Sequence, residues 1–361
     1  MLRQSTPHPH APGIRLRLLT LPTAVLLASL FVTTTMQAEE AAAEFVKPKA
    51  LEPGDTIMFV APAGELIEER IQLAAERLRE MGFKVIVPDD LFRVRGYLAG
   101  PDERRAEELM QAFTDPEVDA IFPGTGGYGT MRILELLDYE KIAANPKVFI
   151  GFSDITGLHL ALQAKCGMVT FHSPNPSWGL GNEQNLHPFS AKYFWRNLLE
   201  EQNRAEQGFL YEMPDDDPIH AVSAGVGEGP LTGGNLSLVA ALTGTEYAID
   251  TAGKVLFLED VREAPYRVDR MLCQMRLAGA LDQPAAVILG KFTRSNPDPG
   301  ESSLGIEEVF DDYFADAPYP VIKNFSMGHT LRNATLPVGA RVRVDADRLK
   351  VRLLENPVSV D

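Results

Sequence analysis

The chain reads Lys147-Val148-Phe149-Ile150-Gly151-Phe152-Ser153-Asp154 at the point where an apolar run ends in a serine. The apolar run is typical of a buried strand, and the residues from Ile155 to Leu162 have the pattern of a helix. Ser153 is therefore predicted to lie in a tight strand-to-helix turn, where its hydroxyl is exposed beside helix N–H groups that can hold an oxyanion. The same residue could simply cap the helix, because serine is a favoured N-cap residue.

Strands and helices alternate on both sides of this turn, from Asp55 to about Phe171. The sequence predicts strands at 56–60, 84–87, 118–122 and 147–152, and helices at 66–81, 102–113 and 131–142. Strands that alternate with helices of this length predict a parallel sheet covered on both faces. Ligands of such sheets bind at the carboxyl ends of the strands, which is where Ser153 is expected.

Two domains are expected on either side of a polar segment. Residues 201–230 are acidic and rich in Gly and Pro, which predicts a linker. We expect an N-terminal domain over 45–200 and a smaller α/β or barrel-like C-terminal domain over 231–361. For the second domain the pattern predicts helices after Asn235 and at 268–277, strands at 255–258 and 286–289, and a hairpin of 340–344 with 349–353.

Residues 1–38 have the pattern of a secretory signal peptide. Arginines precede the apolar run Leu18–Val32, which is too short and too interrupted by proline for a comfortable membrane span. Cleavage is expected after Ala38 or Ala43, which predicts a periplasmic or secreted protein with no stable membrane insertion.

Composition and charge exclude several classes of partner. The chain has 361 residues, is 45% hydrophobic and carries a formal net charge of -16. Because residues 1–38 contain three arginines and no acid, their removal would take this charge to about -19. A net negative charge of this size argues against nucleic acid or an anionic membrane surface as a binding partner. Cys166 and Cys273 lack the spacing of a metal site, and could form a disulfide or be two buried thiols.

A glycine-rich loop offers a rival interpretation. Gly124-Thr125-Gly126-Gly127-Tyr128-Gly129 matches the dinucleotide fingerprint, and Asp154 follows the next predicted strand as a ribose-binding acid would. However, the loop follows the third strand instead of the first, and an exported protein meets little nicotinamide cofactor. We therefore expect no cofactor, and expect the N–H groups of this loop to bind an oxyanion or carboxylate.

A serine nucleophile normally needs a histidine base held by an acid. His172, which ends a predicted strand, and His329 are the candidate bases, since His159 should point away from the turn. Glu259 ends another buried run and is the candidate acid, although acids at strand ends are usually surface charges. Ser153, Glu259 and His329 occur in the chain order of α/β serine hydrolases.

Taken together, the motifs resemble the serine LD-carboxypeptidase family, which includes muropeptide LD-carboxypeptidase and the microcin C self-immunity peptidase. The matching segments run through most of the chain after residue 38. They are Pro53-Gly54-Asp55-Thr56-Ile57, Val60-Ala61-Pro62, Gly96-Tyr97-Leu98-Ala99-Gly100, Gly126-Gly127-Tyr128-Gly129, Gly151-Phe152-Ser153-Asp154-Ile155-Thr156, Leu231-Thr232-Gly233-Gly234-Asn235-Leu236, Leu258-Glu259-Asp260, Tyr266-Arg267-Val268-Asp269-Arg270, Gly328-His329 and Thr335-Leu336-Pro337-Val338-Gly339.

The resemblance assigns roles to the site residues. It implies that Ser153 is the nucleophile, Glu259 the orienting acid and His329 the base, with an oxyanion hole made by the N–H groups of Gly127 and Asp154. It also implies a flavodoxin-like N-terminal domain, a smaller C-terminal domain, an active site between them and a homodimer.

Substrate recognition is less defined. Tyr128 and Asn235 lie in matching motifs and are expected to bind substrate. Arg132, Arg267 and Arg270 are conceivable partners for a substrate carboxylate, although surface ion pairs would also explain each of them. The family often has arginine before Gly-Gly-Tyr-Gly and glycine after the histidine at 172, whereas this chain has threonine and serine there.

The expected function is that of a metal-independent serine peptidase. It would cleave an L,D-peptide bond and remove the terminal D-Ala from peptidoglycan tetrapeptides. One alternative is a peptidase that acts on another acyl-peptide, such as a peptide–nucleotide antibiotic. The other is a non-catalytic muropeptide-binding protein, for which loss of Ser153, Glu259 or His329 would have been predicted.

Overall fold

The computed structural model describes residues 45–297 and 299–360, which belong to one compact unit. The predicted signal peptide, residues 1–38, lies outside the described residues. Within these two ranges, no helix has both the length and the apolar character that a membrane crossing requires.

The first sheet is built from the segment that was expected to form a parallel sheet. Its first five strands are β1 (Thr56–Val60), β2 (Lys84–Ile86), β3 (Ala120–Pro123), β4 (Val148–Gly151) and β5 (Thr170–His172). They lie in the order 2-1-3-4-5 and are all parallel, which is the flavodoxin-like order. Every residue of β1, β3 and β4 is buried, as expected for central strands with both faces covered.

The helices of this part are α1 (Glu68–Glu80), α2 (Asp102–Thr114), α3 (Tyr139–Ala143) and α4 (Thr156–Cys166). The helix predicted at 131–142 is wrong, because 3-10 turns at Thr130–Arg132 and Leu134–Leu136 replace most of it. Asp138 starts α3 instead, where its side chain accepts the Lys141 N–H.

The predicted linker 201–230 contains regular structure. After α5 (Pro188–Leu198), this part of the chain forms α6 (Glu200–Ala205), β6 (Phe209–Tyr211), β7 (His220–Ser223) and the start of β8 (Val226–Asn235). β6 and β7 are the two end strands of the second sheet. Edge strands tolerate polar residues, which explains why the composition resembled that of a loop.

The remaining elements are α7 (Leu236–Ala241), β9 (Val255–Val261), α8 (Pro265–Leu277), β10 (Ala286–Thr293), α9 (Ile306–Phe314), β11 (Val321–Lys323), β12 (Leu336–Val338), β13 (Arg341–Asp345) and β14 (Lys350–Leu353). The second sheet has the order β6-β14-β13-β8-β9-β10-β11-β7. Its four strands from β8 to β11 are parallel neighbours, and the others pair antiparallel.

The two sheets are joined in two ways. β12 comes from the second half of the chain but is the edge strand of the first sheet, where it pairs antiparallel with β5 and places Leu336 opposite His172. A common hydrophobic core contains Phe149 and Leu158 from the first part together with Leu256 and Leu258 from β9. The carboxyl ends of β4 and β9 are therefore held in a fixed relation to one another.

Candidate active site

The turn after β4 has the geometry expected of an exposed nucleophile. Ser153 has a φ of 63°, in the left-handed region, and it opens a 3-10 turn that leads directly into α4. Gly151 has a φ of 139°, and a Cβ there would lie 2.8 Å from Cγ2 of Ile155. A left-handed serine costs roughly 1–2 kcal/mol, and such strain is concentrated at functional sites.

Ser153, His329 and Glu259 form one chain of hydrogen bonds. His329 Nδ1 lies 2.7 Å from Glu259 Oε2, and His329 Nε2 lies 3.0 Å from Ser153 Oγ. A carboxylate can only accept, so Nδ1–H donates to Glu259 and the serine hydroxyl donates to Nε2. Glu259 comes from β9 and is fully buried, whereas the His329 side chain is 20% exposed.

Burial and charge act in opposite directions on this pair. Burial alone would lower the pKa of His329, but the charge and hydrogen bond of Glu259 outweigh it and raise that pKa above 6.5. Burial would raise the pKa of Glu259, but His329 outweighs it and lowers that pKa. Glu259 is therefore ionised, and it stabilises a positive imidazole.

The side-chain amide of Asn235 orients the Glu259 carboxylate. Its Nδ2 donates to Glu259 Oε1 at 3.3 Å and to Asp260 Oδ1 at 3.1 Å, and the residue is only 4% exposed. Its own N–H donates to Thr156 Oγ1 at 3.0 Å. This placement does not support the predicted substrate contact by Asn235, because the amide is already used to orient the acid.

The glycine-rich loop packs against the nucleophile turn. A Cβ on Gly126 would lie 2.9 Å from the Cβ of Ser153 and 3.2 Å from the amide nitrogen of Asp154, so only glycine fits. Gly127 has a φ of 104°. The Asp154 N–H lies at the start of a 3-10 turn, where N–H groups have no partner within the helix. The predicted oxyanion hole of Gly127 and Asp154 is thus compatible with this geometry and stays a prediction.

A cleft of about 670 Å³ opens over Ser153 and His329. It is bounded by the glycine-rich loop, by Trp178, and by the residues that follow β9 and β10, which include Arg262 and Arg294. Tyr128 lies outside this lining and is 50% exposed, with its ring edge-on to Tyr97 at 5.5 Å. Substrate binding by Tyr128 stays a prediction.

The site and the fold can now be compared with known proteins. The LD-carboxypeptidase N-terminal domain of the S66 peptidases matches residues 57–173, and the corresponding C-terminal domain matches residues 228–344. The chain belongs to the LD-carboxypeptidase family. As a member of this family of serine peptidases it is a hydrolase, and the predicted family and fold class are confirmed.

Three similar proteins come from this family. The probable murein peptide carboxypeptidase of Bacillus subtilis is 38% identical over 313 residues, which cover 87% of this chain and 95% of that protein. The microcin C7 self-immunity protein MccF of Escherichia coli is 28% identical over 85% of this chain and 95% of its own. A solved MccF structure covers 87% of this chain and 99% of that one, with a TM-score of 0.79 and 26% identity. The muramoyltetrapeptide carboxypeptidase structure from Oxalobacter formigenes covers 82% and 97%, with a TM-score of 0.70 and 30% identity.

In this member of the family, the glycine-rich loop is not followed by the helix N-terminus that a dinucleotide needs. It leads into the 3-10 turn Thr130–Arg132 instead of an α-helix whose N-terminus could hold a pyrophosphate. The Asp154 carboxylate, the expected ribose ligand, is 2% exposed and accepts the Thr130 N–H at 2.8 Å. We expect no saturable binding of NAD or FAD by calorimetry and no shift of the melting temperature. A clear shift with either would restore the dinucleotide interpretation.

The other two histidines near the turn do not reach Ser153. His172 is fully buried between the rings of Phe152 and Phe257, and burial lowers its pKa to about 4. His159 Nε2 donates to the carbonyl of Gly151 at 2.9 Å, and its Nδ1 accepts from Thr170. The structure therefore brings His329, and not His172, to the serine, while His159 fixes the backbone before the turn.

The three arginines considered for a substrate carboxylate lie elsewhere in this family member. Arg132 pairs with Asp102 at 2.6 Å, Arg267 lies 3.6 Å from Glu263, and Arg270 packs over the ring of Tyr266. None of the three lines the cleft at Ser153. Two other arginines, Arg262 and Arg294, line the cleft. The sequence did not predict them as site residues, because a left-handed backbone at an arginine leaves no signal in a single sequence.

The structure also tests the predictions for the two cysteines and for a metal site. Cys166 and Cys273 are both free, so the alternative of two thiols holds over the disulfide, but both residues are half-buried and not buried as expected. Among residues 45–297 and 299–360, no three His, Cys, Asp or Glu side chains are grouped so that they could hold a metal ion.

Proposed function

We propose that this chain is a serine LD-carboxypeptidase that removes the terminal D-amino acid, D-Ala, from peptidoglycan tetrapeptides. The hydrogen-bond chain from Ser153 through His329 to the buried Glu259, open to a cleft, carries this proposal. The names of the relatives from Bacillus subtilis and Oxalobacter formigenes support a murein peptide as the substrate.

In the first half of the reaction, Ser153 Oγ attacks the carbonyl carbon of the L,D-peptide bond. Its proton passes to His329 Nε2, and ionised Glu259 stabilises the imidazolium that results. The N–H groups of Gly127 and Asp154 would hold the oxyanion. The intermediate then collapses as the C–N bond breaks, and His329 returns the proton to the amine of the leaving D-Ala.

In the second half, the acyl-enzyme is hydrolysed. A water molecule gives a proton to His329 Nε2 while its oxygen attacks the ester carbonyl carbon. The bond to Ser153 Oγ breaks, and the same proton passes from His329 back to the serine. The products are a tripeptide with a free carboxylate and the regenerated enzyme.

Incubation of the mature protein with a muropeptide tetrapeptide tests this proposal directly. Mass spectrometry should show loss of one D-Ala and accumulation of the tripeptide, and Ser153→Ala should abolish both. An intact tetrapeptide, together with cleavage of an aminoacyl sulfamoyl nucleoside, would favour the alternative suggested by the similarity to MccF.

The rate of D-Ala release should depend on the protonation of His329. Only the neutral imidazole can accept the serine proton, so kcat/KM should rise with pH through the pKa of His329 in the free enzyme. Because Glu259 raises this pKa, the midpoint of the acid limb should lie above the ordinary histidine pKa of about 6.5. A pH–rate profile measures the limb, and one centred well below 6.5 would contradict the assigned pair.

We further propose that the protein is exported, on the basis of the arginines that precede the apolar run Leu18–Val32. A periplasmic or secreted fraction should contain a protein that begins near residue 39 or 44. Mass spectrometry of the N-terminal peptide checks this. An intact N-terminus in a cytoplasmic fraction would contradict export and weaken the case for a cell-wall substrate outside the cytoplasm.

The homodimer that the resemblance implies is also proposed. α8 presents exposed apolar side chains that a second copy could cover, including Leu277 at 81% exposure and Tyr266 at 52%. Light scattering of the mature protein should give twice the mass of one chain.

A further inference from the structure

Two arginines stand side by side at the cleft. Arg262 directly follows β9 and Arg294 directly follows β10, and both line the cleft that contains Ser153 and His329. The last paired residues of the two strands are Val261 and Thr293. The Arg262 N–H donates to the carbonyl of Thr293 at 2.9 Å, so the two arginines are neighbours across the ladder.

Both arginines hold a backbone conformation that L-residues avoid. Their φ values are 63° for Arg262 and 58° for Arg294. Only six non-glycine residues in the described ranges have a positive φ, and three of them, these two and Ser153, line this cleft. Strained residues persist where the surrounding structure imposes them, which occurs most often at functional sites.

Neither arginine forms an ion pair with a described residue. No carboxylate pairs with Arg262 or Arg294 anywhere in residues 45–297 and 299–360, and both are exposed. Asp260 and Glu263 are already engaged, Asp260 by Ser237 at 2.8 Å and Glu263 by Arg267 at 3.6 Å.

A second pair of facing arginines provides a contrast. Arg343 and Arg352 are opposite each other on β13 and β14, but Arg343 forms an ion pair with Glu228. Like charges side by side are unfavourable without such a partner. Arg262 and Arg294 line the same cleft as Ser153 and have no carboxylate partner among the described residues, although the chain has a net charge of -16, so the cleft favours an anionic ligand.

We propose that Arg262 and Arg294 bind the C-terminal carboxylate of the peptide substrate. This inference rests on the proposed function, because a carboxypeptidase must recognise a free carboxylate one residue beyond the bond that it cleaves. A guanidinium group binds a carboxylate through two parallel N–H···O bonds, which a single ammonium cannot reproduce. Because both backbones are already fixed, substrate binding has to order only the two side chains.

Glycine variants test this subsite without disturbing the fold. Glycine adopts a positive φ freely, so Arg262→Gly and Arg294→Gly should keep or raise the melting temperature. Each should lower kcat/KM for N-acetyl-L-lysyl-D-alanine about tenfold or more, mainly through KM. Arg352→Ala, an exposed arginine of the same sheet outside the cleft, is the matched control and should change neither quantity.

Comparison with the C-terminal carboxamide of the same dipeptide gives the decisive readout. Titration calorimetry of Ser153→Ala measures binding without turnover, so it remains informative if the protein releases no D-Ala. The carboxylate should bind about tenfold tighter than the carboxamide, and the double glycine variant should bind both equally. The inference is wrong if Ser153→Ala binds the carboxylate and the carboxamide peptides equally. It is also wrong if the preference for the carboxylate peptide survives when both arginines are replaced by glycine.

Discussion

Replacement of either Ser153 or His329 by alanine is expected to lower kcat for D-Ala release by about 10⁴-fold or more, and the double variant should lose little beyond this. The two side chains act as one unit, since the 3.0 Å contact between Ser153 Oγ and His329 Nε2 is what activates the nucleophile. Turnover of the tetrapeptide at saturating concentration measures the effect. Circular dichroism should show an unchanged fold, because neither side chain belongs to a hydrophobic core cluster.

His172→Leu is the matched control for this prediction. His172 is fully buried, and neither of its ring nitrogens has a hydrogen-bond partner within the described chain. An apolar residue of similar size should therefore be tolerated, and most of the turnover should remain. If a folded His172→Leu variant were inactive while His329→Ala kept near-normal turnover, the base would have been assigned wrongly.

The second large effect is expected for Glu259→Gln, with a loss of kcat of about 10²–10⁴-fold. If the amide NH₂ group faces His329, it donates to Nδ1 and leaves the proton on Nε2, so the imidazole cannot accept from Ser153. If the amide oxygen faces His329, the NH₂ group meets the Nδ2 donor of Asn235, which now lies 3.3 Å from Glu259 Oε1. Either orientation removes a hydrogen bond that the carboxylate makes.

Steady-state kinetics of Glu259→Gln across a pH range would test this argument. Loss of the negative charge should also move the acid limb to lower pH, since Glu259 is what raises the pKa of His329. Glu228→Gln, an exposed acid on β8 that pairs with Arg343, should leave both kcat and the pH profile unchanged. Near-normal turnover in Glu259→Gln would remove the acid from the mechanism.

The sequence predicted those parts of the fold in which local pattern and tertiary burial agree. β1 matches the predicted strand at 56–60, because all five residues are apolar or β-branched and all five are buried. The turn at Ser153 was predictable for a similar reason, since the apolar strand and the helix pattern leave only two polar residues, Ser153 and Asp154, between them.

Elements that depend on distant contacts were not predictable. The apolar residues at 131–142 have helical spacing. However, Asp154 accepts hydrogen bonds from the N–H and the hydroxyl of Thr130, so a 3-10 turn begins there instead of a regular helix. β7 was hidden in the predicted linker because its first two residues are exposed and it pairs only with the remote β11. Neither contact leaves a periodic signal.

In the active site, residue patterns alone predicted Ser153 as a candidate nucleophile but left both His172 and His329 as candidate bases. The role of Glu259 came from the resemblance, because an acid at a strand end is usually at the surface and this one is fully buried. Asn235 was assigned to substrate because its motif matched, whereas its orientation toward Glu259 depends on the parallel pairing of β8 with β9.

The pairing of β12 with β5 has a consequence for how the chain folds. β5 is synthesised well before β12, so its outer edge has no partner until residues 336–338 are available. An unpaired strand edge is a template for association with other chains. A fragment that ends before residue 336 should therefore aggregate and should not behave as an independent module. Resistance to limited proteolysis and peptidase activity should appear together during refolding, because the strand that covers this edge follows closely after His329.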